Sequence, residues 1–422
     1  MSALFALMAL WAQDPLPAPV PEVAPAAPSG PEGYCTPRRL ALVLEELATK
    51  HPDLVRVESL GRSASGLEIP LVTLALLEGD SPRSRPAVLL VAAFGSEDLF
   101  GTELALALVR QCVAEAHHEG PVRQLLGRVA VYVVPALHPD VRSQALAGLE
   151  SGMLASAPRR VELDSNFPAG WDPLAEAGAG PYPLSEPESR ALAEFLVANP
   201  NVSACLRLVP PSLERPLAVS WPAADVRAQS EWFEGLGAGG LELAARSPGS
   251  FLRFAYEERG AFVLALPCSF ERGGPLALPR IGDIPRLSRE ALAGVLHAAR
   301  ALPTLSFCAP TVGALGPAQW SLDIAVTNSG ALPTASARAR ELELLTMPEL
   351  VVHGARVVAA ASIVEGESKS MPVRGSKVTL AELGGGERVG VRLFLSAASA
   401  TDVRIEVRSA RAGSASVAAR LE

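Results

Sequence analysis

The side chains able to carry chemistry are few and scattered. Six histidines are present, His51, His117, His118, His138, His297 and His353. A metal centre needs several such donors on one point. Only His117-His118-Glu119 are adjacent, and neighbours near a helix end diverge by about 100°, so this trio reads as surface. Five cysteines, Cys35, Cys112, Cys205, Cys268 and Cys308, are widely spread with no CxxC pair. That is neither a disulfide framework nor a thiolate zinc site. Cys112, Cys205 and Cys268 sit among apolar neighbours and read as small core residues, and one disulfide within the five stays open. Gly61 to Gly66 (GRSASG) approaches a serine nucleophile elbow, but G-x-S-x-G would need Gly at Ser65. A serine hydrolase is therefore disfavoured.

The elements that would position these groups follow from periodicity. Residues 36–51 place Leu40, Val43, Leu44 and Leu47 at helical spacing behind Thr36-Pro37. Apolar runs of strand length follow at 69–77 and 87–93, then a helix near 100–116 and a strand at 129–135. Ser185-Glu186-Pro187-Glu188 opens a helix at 186–198, with Ser185 expected as its N-cap. Strands at 203–209 and 261–267 and a helix at 288–301 complete an alternation that implies an α/β sheet covered on both faces. Beyond Pro303 the period changes to two: Trp320, Leu322, Ile324 and Val326, then Val389, Val391, Leu393 and Leu395, then Val403, Ile405 and Val407. An antiparallel β-sandwich of about 110 residues is expected there.

The chain has 422 residues, 49% hydrophobic and 19% charged, with net charge −8. That is enough for two or three globular domains and too acidic for a nucleic-acid partner. No apolar run of spanning length follows the N-terminus, so no integral membrane span is expected. Residues 1–14 begin with an apolar run, MSALFALMALWA, of signal-peptide length, although no Lys or Arg precedes it. Residues 15–32 alternate Pro with small residues and read as a linker. The expected organisation is a signal peptide at 1–14, a linker at 15–32, an α/β domain at 33–303 and a sandwich at 304–422, in an exported chain.

Five ordered segments carry a family resemblance. They are Gly61-Arg62-Ser63-Ala64-Ser65-Gly66, the stretch Ala93 to Gly101 (AFGSEDLFG), Val134 to Asp140 (VPALHPD), Glu162 to Pro168 (ELDSNFP) and Leu184 to Glu188 (LSEPE). Together they resemble the zinc carboxypeptidases of the carboxypeptidase A/B type, over roughly residues 34–302. The resemblance implies a mixed eight-stranded sheet flanked by helices. The C-terminal part, with VTNSGALPT at 326–334, is similar to the accessory sandwich of some bacterial members.

The resemblance also marks which positions matter, and most of them have changed. Two His and a Glu would hold the family's zinc. Here the matching positions are Phe94, Glu97 and Val209, of which only Glu97 could ligate. The general-base Glu falls at Ala265, and that step alone contributes about 10²- to 10⁴-fold. The family's Asn-Arg clamp on the substrate carboxylate becomes Asp164-Ser165, beside Asn166, so a pairing cation is absent. The Arg of the early turn becomes Leu67. Tyr256 matches the mobile active-site tyrosine and is expected in the pocket. Glu97 otherwise reads as a solvated or helix-capping acid, and His138 as a turn residue near the old site.

The expected function is therefore a catalytically inactive pseudo-peptidase with no cofactor, its pocket relined by Phe94, Val209 and Ala265 and able to bind a peptide or protein. The alternative is an active zinc metallocarboxypeptidase with rearranged ligands. A third reading is a purely structural envelope protein in which the sandwich does the binding.

Overall fold

The computed structural model describes residues 33–95, 98–118, 120–151, 161–174, 178–209, 224–225, 228, 248–268, 270, 279–345, 347–364 and 367–422. The leader, the Pro-rich linker, Glu97 and Glu119 lie outside the described residues.

Thr36 accepts a hydrogen bond from the Arg39 N–H at 3.2 Å, and Pro37 occupies the first turn of α1 (Pro37–Lys50). The cap satisfies one orphan donor, and Leu40, Val43 and Leu44 face the core. An antiparallel hairpin follows, β1 (Val55–Arg62) and β2 (Glu68–Leu74). Then come β3 (Ala87–Val91), α2 (Leu99–Ala116), α3 (Pro121–Arg128), β4 (Ala130–Val134) and α4 (Pro139–Ser151). The domain continues through α5 (Pro187–Ala198), β5 (Val202–Val209), α6 (Phe251–Glu257), β6 (Phe262–Pro267) and α7 (Ile284–Ala301).

The strand order is β1-β2-β4-β3-β5-β6, with β4, β3, β5 and β6 parallel and β1 and β2 antiparallel. Every residue of β3, β4 and β5 is buried. Val88, Leu90 and Ala92 pack towards α1, α2, α3 and α7, whereas Leu89, Val91 and Cys205 pack towards α5 and α6. Burial on both faces is why these strands are apolar runs rather than alternating ones, and each fully buried Leu or Val contributes about 1.5–3 kcal/mol. Among the described residues the sheet has six strands, against the eight that the resemblance implies. Much of the chain between β5 and β6 lies outside the described residues.

Three further departures from the expectation are local. α5 starts at Pro187 with Glu186 at its N-cap, because the Ser185 hydroxyl donates to Glu186 and accepts from Asn166 instead of capping. β1, α3, α4 and α6 were not anticipated, since short elements with mixed patterns lack a clear period. All five cysteines are unpaired, and Cys112, Cys205 and Cys268 are buried.

The second unit is wholly antiparallel. One sheet runs β13 (Val373–Arg374), β14 (Lys377–Thr379), β10 (Glu349–His353), β16 (Thr401–Ser409), β17 (Gly413–Leu421). The other runs β12 (Glu367–Ser370), β11 (Arg356–Val364), β15 (Arg388–Ser396), β9 (Gln319–Asn328), β7 (Leu305–Phe307), with β8 (Thr311–Gly316) also on β9. Trp320, Leu322, Val391, Leu393, Ile405 and Val407 fill the space between the sheets.

The two units share a polar seam. Asp225 is buried and accepts from the Tyr256 hydroxyl at 2.7 Å and from the Ala337 and Arg338 N–H groups at 2.7 and 3.1 Å. Those two amides open α8 (Ala337–Glu341), which Ser336 caps while donating to the Gly260 carbonyl. Arg411, between β16 and β17, donates to the Gly260 and Arg259 carbonyls, and burial pulls its guanidinium down to about 10. Gly260 has φ +60°, and a Cβ there would lie 2.5 Å from Ala339, so the close approach needs glycine.

Candidate functional site

The parallel strands deliver their C-terminal ends to one edge of the sheet, where β3 is flanked by β4 on one side and β5 on the other. Crevices at such switch points hold the ligands of open α/β sheets. The register pairs Val91 with Arg207 and Arg207 with Ala265. Side chains alternate along β5, so Cys205, Arg207 and Val209 share the face towards α5 and α6. Phe94 follows β3, and Ala93 before it has φ 59°, a costly conformation for a residue with a Cβ. Asp98 holds that turn by accepting from the Ala93 and Phe94 N–H groups at 3.1 and 3.3 Å.

The topology thus brings together Phe94, Val209 and Ala265, which are 1%, 6% and 7% exposed. Between them lies a residue that the sequence reading passed over. The Arg207 guanidinium sits 4.3 Å from the Phe94 ring centre and is ion-paired with Asp164. Asp164 also accepts from the Phe251 N–H at 3.0 Å, and the Phe94 and Phe251 rings stand 5.8 Å apart. Burial pushes the Asp164 carboxyl above its ordinary range, while Arg207 and the Phe251 amide pull it back. Arg207 is itself 7% exposed, and its Nε has no hydrogen-bond partner.

Two expectations need correcting here. The cation missing from the Asp164-Ser165 segment itself is supplied by β5 as Arg207, which pairs with Asp164, so the relined floor carries charge at its centre. Nor is Tyr256 a pocket residue: it is fully buried and its hydroxyl is spent on Asp225 in the seam between the two units. A lone Arg at the same parity as Val209 in an otherwise apolar strand was the available signal for Arg207. Asp225 carried none, because its partners, the Tyr256 hydroxyl and two backbone amides of the second unit, are 31 to 113 residues away.

The remaining residues of the ordered segments knit the loops around this edge. His138 sets its Nδ1 3.2 Å from the Phe94 carbonyl oxygen and donates its backbone N–H to Ala93. Leu67 donates its N–H to the Ser63 hydroxyl at 3.0 Å within the β1–β2 turn. Asp140 accepts from the Ser63 hydroxyl at 2.6 Å, from the Ser65 N–H at 3.0 Å and from the Ser65 hydroxyl. Ser165 closes a turn through its N–H to the Glu162 carbonyl. Its own carbonyl would lie 2.2 Å from a Cβ on Gly249, whose φ is +69°. Asn166 is completely buried and donates to Ala179, Tyr182 and Ser185 while accepting from the Glu186 N–H and the Ser189 hydroxyl.

Asn166→Ala is expected to cost about 2–4 kcal/mol, because it strands several buried groups at once, and a urea melt checks it. Asp140 gives a pH signature. Burial raises its pKa, but the Ser63 and Ser65 hydrogen bonds outweigh that and hold it below the usual value. A depressed carboxylate stabilises the fold above its unfolded pKa and loses that contribution as pH falls through the folded one. Asp140→Asn should therefore flatten the acid limb of the stability profile below pH about 4.

Among the described residues no group of three or more His, Cys, Asp or Glu side chains is arranged to hold a metal ion. No described helix is long and apolar enough to cross a membrane.

Comparison with known proteins agrees with this architecture. Residues 41–210 match the family model described as zinc carboxypeptidase, and residues 304–420 match a domain of unknown function. Carboxypeptidase B of Rattus norvegicus is 27% identical over 169 residues, which are 37% of this chain and 40% of that protein. Carboxypeptidase B of Homo sapiens is 26% identical over 165 residues, 36% of this chain and 39% of that protein. The match thus spans about 40% of the length of these relatives. Among solved structures, thrombin activatable fibrinolysis inhibitor aligns with TM-score 0.53 at 18% identity, covering 64% of this chain and 74% of its own. Carboxypeptidase A from Helicoverpa armigera aligns with TM-score 0.51 at 15% identity, covering 64% and 73%. Fold, motif order and family model agree: residues 41–210 match the zinc carboxypeptidase model, and the α/β unit has a carboxypeptidase-like fold.

Proposed function

We propose that this chain is a catalytically inactive carboxypeptidase-like protein in which an arginine–aspartate pair has taken over the ground of a metal centre. One observation carries the reading: the Arg207 guanidinium lies on the ring of Phe94, which, with Val209, the resemblance matches to the zinc ligands. Neither Phe nor Val has a lone pair to give, and a fixed cation repels a dication. Glu97 alone would be a poor site, since nitrogen donors supply much of zinc's affinity and geometry. These residues do not fit a catalytic zinc. Without a metal the pKa of water is not lowered towards neutrality, and Ala265 cannot take its proton.

What remains is a binding role towards a peptide or protein, in an exported chain if residues 1–14 act as a leader. Net charge −8 argues against a nucleic-acid partner. We read the boundary between the two units at residues 303/304, between α7 and β7.

The test is zinc per chain on untagged protein dialysed against trace zinc, together with hydrolysis of peptides bearing free C-termini. The expected result is no zinc at the Phe94–Val209 edge and no chelator-sensitive hydrolysis. Stoichiometric zinc with hydrolysis that a chelator abolishes would instead establish the active metallocarboxypeptidase.

A further inference from the structure

At the opposite end of α2, one helix length or about 27 Å from the Phe94 turn, the C-termini of α1 and α2 come together. His51 is the C-cap of α1 and His117 the C-cap of α2. Their rings meet edge-on with centres 5.6 Å apart, and the His118 ring lies 6.2 Å from that of His117. His117 and His118 are exposed and His51 is partly so. Adjacent positions on one helix chelate poorly, but here the fold supplies the second ring from a different helix.

We propose that His51 and His117 form a two-imidazole clip for a divalent transition-metal ion, with water completing the coordination. Metal–nitrogen bonds of about 2.0–2.1 Å opening at a tetrahedral angle put two ring centres roughly 5 Å apart. A small rotation of the exposed His117 closes the difference. Both helices present the negative end of their dipoles to the site, which favours a cation. The nearby charges are Lys50, Asp53 and Arg123, and the last two are paired at 3.6 Å. No third His, Cys, Asp or Glu among the described residues joins them in a group able to hold a metal ion, so the clip depends on two rings. Imidazole pairs of this kind rank Cu²⁺ above Ni²⁺ and Zn²⁺.

The experiment is a titration of the untagged full chain with CuCl₂ and NiCl₂ by calorimetry, with electron paramagnetic resonance to count the nitrogens on Cu²⁺. One ion per chain with two imidazole nitrogens is expected. His51→Ala and His117→Ala should each lower affinity at least tenfold, and His353→Ala should not change it. Melting curves of the variants without metal show that they fold. An unchanged affinity in either clip variant, or a single coordinated imidazole, would overturn the proposal. The clip also bears on the zinc count above, which should be repeated in the His51→Ala, His117→Ala chain. Zinc lost there belongs to the clip, and zinc retained there contradicts the inactive-site reading instead.

Discussion

Arg207→Met should destabilise the protein by about 3–5 kcal/mol, the usual consequence of removing one partner of a buried pair. The effect is that large because Asp164 would keep its place against Phe94 and Phe251 with only one backbone amide to stabilise its charge. The defect should depend on pH. Asp164 already titrates above its ordinary range because it is buried, and loss of Arg207 removes the main opposing influence. An acid whose folded pKa is raised favours the fold when protonated, so its stabilising contribution is lost as pH rises. The Arg207→Met chain should therefore recover stability as pH falls towards 4, relative to the unsubstituted protein. The double variant Arg207→Met, Asp164→Leu should regain most of the loss, because an uncompensated charge costs more than an absent pair. Urea melts of the four chains across pH 4–8 complete the cycle. Strictly additive single and double effects would mean the two side chains are not coupled, and would remove the main support for a charge pair in place of a metal.

The second large effect lies at the seam between the units. Asp225→Ala should cost about 3 kcal/mol or more, since it removes the carboxylate that accepts from the buried Tyr256 hydroxyl and the first two amides of α8. Combined with Arg411→Ala, it should split calorimetric unfolding into two transitions. The sandwich retains its own apolar core and loses only its attachment. A single transition in the double variant would show that the units are coupled by something other than these two residues. Asp225→Asn, which keeps the shape and one acceptor oxygen, should fall between.

The seam bears on how the C-terminal sandwich can be studied. Removing residues 304–422 would expose Asp225, Tyr256 and the Gly260 carbonyl along the edge next to β6, so a deleted chain would report on broken packing as much as on binding. Point substitutions on the sandwich's solvent faces avoid this.

Much was legible in the chain because it rests on local or periodic signals. The apolar runs that became β3, β4 and β5, the Thr36-Pro37 start of α1 and the period-two strands of the sandwich each reflect a side-chain repeat that burial enforces. The candidate edge was legible too, since Phe94, Val209 and Ala265 lie in strands or turns whose ordered motifs resemble a family with a known arrangement. What each position lacks, a lone pair or a carboxylate, is a property of residue type and needs no coordinates.

Only the tertiary structure decided what fills that edge and what holds the two units together. Arg207 and Asp164 are 43 residues apart and meet because β5 lies beside β3, with the Leu163–Ser165 turn folded over its end. Tyr256 fits a pocket by alignment and a seam by geometry, because the direction of a side chain on a short helix depends on what packs against it. His117 is a surface residue by pattern and a neighbour of His51 by helix packing. Residue types and repeats thus determined the fold class. Long-range charge pairing, which depends on strand order and leaves no local mark in the sequence, set the Arg207–Asp164 pair at the strand edge.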